Sequence, residues 1–119
     1  MKTNKNIIWR IEGKIKDGRR DEYEALMEEM VAEVQKEKGT TNYEWTIAPD
    51  GETLHVYERY KDADAAVVHL GTWAKFQERC MDVTDITQLT IFSELTQELE
   101  EAVAARNPLY MKPIGGFAK

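Results

Sequence analysis

Apolar residues recur along this chain with a period that alternates between two and 3.6, and the order of the alternation leaves few folds open. Residues 7–16 put Trp9, Ile11 and Ile15 on one face and Arg10, Glu12 and Lys14 on the other, the pattern of a half-buried strand. Asp17-Gly18 turns the chain. Residues 19–38 repeat Tyr23, Leu26, Met27, Met30 and Val34 at three-and-four spacing with glutamates opposite; this is an amphipathic helix, and Gly39 is placed to end it in a left-handed conformation. Residues 41–48 and 53–60 read as strands around Pro49-Asp50-Gly51. Proline presets φ, aspartate bonds its own backbone and glycine accepts positive φ, so the three make a hairpin. Asp62 caps a short helix through Leu70, and Gly71-Thr72 resets the chain for another through Met81. Residues 85–94 are a fourth, β-branched strand. Leu95, Leu99, Ala102 and Val103 mark a helix ending near Asn107-Pro108, and residues 109–117, with Pro113 and Gly115-Gly116, suit an edge or an arm.

The order strand, helix, strand, strand, helix, strand is that of an α+β, ferredoxin-like βαββαβ domain, with helices on one face of an antiparallel sheet. A C-terminal helix and a strand-like arm follow. At 119 residues the chain makes one domain, 1–119. Several strands carry large side chains on both faces. Leu54, Val56 and Tyr60 oppose His55 and Tyr57, and Leu89 and Ile91 oppose Ile86 and Phe92. One helical layer covers one face only, so the open face is expected to pair with a second copy in a symmetric homodimer.

Charge and cysteine usage narrow the function. Sixteen Lys and Arg are scattered among 22 Asp and Glu, for a net charge of −6. The Arg19-Arg20 pair sits beside Asp17, Asp21 and Glu22. No basic face for phosphates results, and a nucleic-acid partner is not expected. The single cysteine, Cys80, allows neither an intrachain disulfide nor a cysteine-based zinc site; it reads as a small buried hydrophobe. The apolar stretch Ile7-Ile8-Trp9 stops at Arg10, too short for a signal peptide or a membrane span, and the expected location is the cytoplasm.

Hairpin register decides which side chains share a chamber. A four-residue loop, 48–51, sets Tyr43 and Trp45 beside Val56 and Leu54; a three-residue loop would put Asn42, Glu44 and Thr46 there. Burial of large apolar side chains, about 1.5–3 kcal/mol each, selects the first. Glu58 then lies beneath the helices, where a carboxylate needs a partner. His69, beside the inward set Ala66, Val67 and Leu70, offers one. A Glu58–His69 hydrogen bond either pins helix to sheet or makes a general base. Two candidate ligands without HExxH spacing do not make a metal site. Trp45, Tyr60, Trp73 and Phe76 are either core or the walls of a flat apolar cavity. There is no GxSxG, P-loop or GxGxxG motif.

Three runs carry a family resemblance: Asn42-Tyr43-Glu44-Trp45, Val56-Tyr57-Glu58-Arg59-Tyr60, and Ala65-Ala66-Val67-Val68-His69-Leu70. Over residues 7–92 the sequence resembles the antibiotic biosynthesis monooxygenase (ABM) domain, in which an aromatic-Glu-Arg-aromatic run precedes a short helix ending in His-Leu. Residues 110–117 resemble the C-terminal tail of some bacterial members. The resemblance implies a dimeric α/β barrel and cofactor-free oxygenation of quinol-like or polycyclic aromatic molecules. In that chemistry His69, supported by Glu58, is the base, Tyr60 or Trp73 contacts the substrate and Arg79 stabilises an anionic oxygen; no cofactor is needed. Val56 and Tyr60 stand where anthrone-oxidising members carry Asn and Trp. The first strand lacks the asparagine of haem-degrading relatives. The same fold serves non-oxidative isomerases and small-ligand binders, which is the alternative reading.

Overall fold

The computed structural model describes residues 5–118; residues 1–4 and 119, the ends of the expected domain, lie outside the described residues. The elements in chain order are β1 (Ile7–Ile15), α1 (Arg20–Val34), β2 (Thr40–Ile47), β3 (Thr53–Tyr60), α2 (Ala63–Val83), β4 (Thr84–Ile91), α3 (Gln97–Val103), a 3-10 turn (Ala104–Arg106) and β5 (Leu109–Tyr110). The strands lie in the order β2-β3-β1-β4-β5. All neighbours are antiparallel except β5, which runs parallel to β4. The protein is thus an α+β ferredoxin-like fold with a mixed sheet, and its helices pack on one sheet face.

Two apolar clusters fill the space beneath the helices. In one, Tyr23, Leu26 and Met30 of α1 and Trp73, Phe76, Cys80 and Val83 of α2 meet Ile15, Leu54 and Val56 of the sheet. In the other, Ala65 and Ala66 of α2 and Leu99 and Val103 of α3 cover Ile7, Trp9, Tyr60, Leu89 and Ile91.

The structure corrects the sequence reading at four places. The expected break at Gly71 is absent, and α2 runs unbroken for 21 residues. Its buried stripe, His69, Trp73, Phe76, Cys80 and Val83, continues at helical spacing through the glycine. A mid-helix glycine costs only about 1 kcal/mol, less than burying one of those rings gains. The first helix ends at Val34 rather than at residue 38, with Gln35 as its cap, and Gly39 is not among the glycines with positive φ. Its lack of a side chain serves close packing instead, because a Cβ there would run into Ala65 Cβ of α2.

The hairpin register is also displaced. Ala48 N–H donates to Thr53 O at 2.9 Å, so the loop is residues 49–52 and Trp45 lies opposite Val56, Tyr43 opposite Glu58. Asp50 Oδ1 accepts from the N–H groups of Glu52 and Thr53 at 2.9 and 2.8 Å, tightening the turn. A shift of two residues preserves the face each side chain occupies, so Tyr43 and Trp45 still lie under the helices. On β4 the pairing with β1 slips at Glu12/Gly13. This bulge turns Ile86 to the helix side with Leu89 and Ile91 rather than against them.

Past α3, Asn107 takes a left-handed conformation (φ 49°), and the chain returns along β4, where Met111 N–H donates to Ile91 O at 2.7 Å. Only Leu109–Tyr110 of the expected 109–117 segment is strand. The open sheet face carries a polar cluster: Glu12 accepts from Arg10 at 3.1 Å and lies 3.2 Å from His55 Nε2, and Arg10 also covers the Phe92 ring. No described helix is long and apolar enough to cross a membrane.

Candidate active site

Sheet register builds the centre of the site. Glu58 on β3 lies between Trp9 of β1 and Tyr43 of β2, its two cross-strand neighbours, and its side chain points under the helices, where only 2% of the residue is exposed. Three groups converge on one oxygen. Oε1 accepts from Trp9 Nε1 at 2.9 Å and from the Tyr60 hydroxyl, and His69 Nε2 lies 3.1 Å from it. Oε2 has no hydrogen-bond partner among the described residues, and Glu58 lines an internal cavity.

His69 reaches Glu58 from the buried stripe of α2 and is itself 3% exposed. Its other nitrogen is also taken: Nδ1 lies 3.1 Å from Glu37 Oε1. Glu37 stands in the turn freed by the early end of α1, its side chain buried, and accepts from Thr40 Oγ1 at 2.6 Å. The residue carries no helical or strand periodicity, and no signal in the sequence singled it out.

Two carboxylates can both accept from one imidazole only if both ring nitrogens bear protons. Burial acts to lower the pKa of His69, but the hydrogen bond and charge of Glu58, then those of Glu37, outweigh it and raise the pKa above its ordinary value. Both ring nitrogens of His69 thus face carboxylate oxygens, and this setting favours the charged form of the imidazole. Burial, then the charge of Glu58, pushes the Tyr43 and Tyr60 hydroxyls well above the usual tyrosine range, so both remain neutral. The rings of Tyr43 and Tyr60 flank the imidazole at centroid distances of 5.5 and 5.1 Å.

The cavity beside the triad is narrow, about 30 Å³, and its walls include Tyr43, Trp45, Val56, Trp73 and Arg106. A second, wider cleft of about 360 Å³ lies between α2, β4 and the 3-10 turn. The two share Ile11, Trp73, Ile86 and Arg106 as a common wall. At this throat the Arg106 guanidinium sits over the Trp73 ring, 5.1 Å from its centroid.

Glu58, His69, Tyr43, Trp45, Val56 and Trp73 thus come together around the chamber. Three other expected contacts do not. Tyr60 is fully buried, and its hydroxyl is spent on Glu58, so it holds the carboxylate rather than a ligand. Phe76 packs in the α1–α2 core and does not line the chamber, since it follows Trp73 by three positions and faces α1. Arg79 is half exposed and ion-paired with Glu29 of α1 at 2.5 Å, because its place on α2 lies on the outer side of the α1–α2 contact. The arginine at the chamber is Arg106. Its position depends on the turn after α3, which no periodicity in the sequence marks.

The fold has counterparts among solved structures. No curated protein matches the sequence. The structure is similar to that of MupZ from Pseudomonas fluorescens, with a TM-score of 0.87 and 18% identity over 98% of this chain and 91% of that one. It is also similar to Rv0793 from Mycobacterium tuberculosis (TM-score 0.67, 19% identity, 77% and 97% coverage). A third similar structure is SnoaB, a cofactor-independent oxygenase from Streptomyces nogalater (TM-score 0.66, 11% identity, 78% and 96% coverage). The sequence profile described as "Antibiotic biosynthesis monooxygenase" matches residues 7–79, the span that carries Glu37, Glu58 and His69. The chain belongs to the antibiotic biosynthesis monooxygenase family.

Proposed function

We propose that this protein is a cofactor-independent monooxygenase acting on a quinol-like or polycyclic aromatic small molecule. The observation that carries the reading is the uncommitted oxygen of Glu58 at an aromatic chamber, backed by a buried imidazole. An electron-rich phenol reacts with dioxygen once it is deprotonated, so the protein has to supply a proton acceptor, orientation and a dry site. His69, with both nitrogens bonded, holds Glu58 in place, and Glu58 Oε2 takes the hydroxyl proton; base and support exchange the roles expected of them.

The chemistry balances with dioxygen as the only co-reactant. Loss of the proton to Glu58 leaves a phenolate, whose hydrogen-bearing ring carbon ortho (in a quinol) or para to the oxygen forms a C–O bond to dioxygen. The resulting peroxide anion takes the proton back from Glu58. The hydroperoxide then loses water, its O–O bond breaking as the C–H proton leaves, and a quinone remains. The substrate carbon is oxidised, one oxygen atom enters the product and the other leaves as water.

Pairing of two copies through the open sheet face belongs to the same reading. Half-exposed Tyr57 and the Arg10–Glu12–His55 cluster would meet their symmetry mates there.

Oxygen consumption with a panel of reduced naphthoquinols tests the function. Uptake above the uncatalysed rate that falls by about 10²–10⁴-fold in Glu58→Gln is expected. Uptake equal to that in buffer refutes the oxygenase. If a ligand is bound and isomerised without oxygen consumption, the non-oxidative alternative stands instead, since the triad can return its proton to a different atom of the ligand.

A further inference from the structure

The unsatisfied polar groups at the throat are of one chemical kind. The indole N–H of Trp73, which lines both cavities, is buried without a hydrogen-bond partner. The Arg106 guanidinium lies over Trp73 and has neither an ion pair nor a hydrogen bond among the described residues. Indole and guanidinium groups donate and cannot accept. What they lack is an acceptor.

Charge points the same way. Glu58 and Glu37 are already answered by the imidazole between them, whereas Arg106 has no carboxylate of its own. Burial pushes its pKa down from the ordinary value, as it does for a cation partly stripped of water. The wider cleft on the other side of the throat is walled by Ile11, Ile86, Leu89 and Met81, with Gln77 and Gln88 also lining it. An apolar body fits the cleft, and a negatively charged oxygen fits the throat.

We infer that Arg106 binds an anionic oxygen of the ligand and that the wider cleft holds the ligand's apolar body, so the molecule this protein takes is an amphiphilic organic anion. A guanidinium lying on an indole face is preorganised for this, because stacking fixes its plane while its N–H groups stay free to bond. The assignment concerns ligand class and not reaction. A protein that binds such anions through Arg106 yet consumes no oxygen refutes the oxygenase alone.

The test uses 6-hydroxy-2-naphthoate and 6-hydroxy-2-naphthamide, which share a ring system and differ in the charge of one group, with binding measured by calorimetry. The naphthoate is expected to bind the unmodified protein at least tenfold more tightly than the amide. Arg106→Gln should weaken the naphthoate by about 10–100-fold, the factor that a charge-assisted hydrogen bond supplies, and leave the amide unchanged. Arg106→Lys, which keeps the charge but not the planar fork, should retain part of the preference; it is the variant to read if Arg106→Gln does not fold. Equal affinity for the two probes, a preference for the acid that survives both substitutions, or no binding of either probe overturns the inference.

Discussion

Replacing His69 by alanine removes the imidazole that lies between two buried carboxylates, and the consequence can be worked from the geometry. The substitution deletes two charge-assisted contacts, of 3.1 Å each to Glu58 and Glu37. It leaves a pair of carboxylates, each with a side chain no more than 6% exposed, without the imidazole between them. Breaking a buried pair by removal of one partner costs about 3–5 kcal/mol. For a chain of this size that corresponds to a fall of about 10–25 °C in Tm. The pH dependence has a definite sign. Because the folded-state pKa of His69 is raised, its contribution is complete below the unfolded value of about 6.5 and is lost as pH rises through the folded pKa. The gap between His69→Ala and the unmodified protein is therefore widest at pH 5 and narrows as pH rises towards 9. Urea unfolding of both proteins at pH 5, 7 and 9 measures the difference. A Glu37→Gln background should shrink the cost of His69→Ala, since one of the two charges is then absent. A loss below about 1 kcal/mol at pH 7, or a gap that is no smaller at pH 9 than at pH 5, refutes the triad as described.

Gly39→Ala puts a methyl group into Ala65 and should destabilise by about 1–3 kcal/mol; Ala65→Gly in the same chain should recover part of that in thermal unfolding, which a purely conformational role for Gly39 would not allow. Gly71→Ala, where a Cβ meets nothing within 4 Å, should stabilise by about 0.5–1 kcal/mol. A loss of stability there would mean that α2 is not continuous through residue 71.

What could be read from sequence and what could not divide along a physical line. Features that depend on parity survived errors of detail. The hairpin register is two residues from the expected one, yet Tyr43, Trp45 and Glu58 keep their face, because face depends only on whether a shift is odd or even. His69 and Glu58 come within reach because each sits on a buried stripe whose period is visible in the chain. Ile86 was misplaced by the reverse effect. The slip at Glu12/Gly13 is an odd shift, and nothing in the residues of β4 announces it. Glu37 and Arg106 lie in segments without a period, a turn after α1 and a turn after α3. Their approach to the chamber depends on where two helices stop, and helix ends are poorly fixed by apolar spacing when glutamates and alanines continue past them. At Gly71 the local penalty points to a break, and burial of the stripe on either side of the glycine overrides it.

One oxygen atom of Glu58 is the meeting point of three separately delivered groups: an indole from the first strand, a phenol from the third and an imidazole from the long helix. A half-assembled chain, with that helix undocked or the first strand unpaired, presents no organised proton acceptor to solvent. The junction therefore exists only once sheet and helix have closed on it, and a substitution that loosens any one of the three groups weakens the keystone of the whole vault in the same stroke.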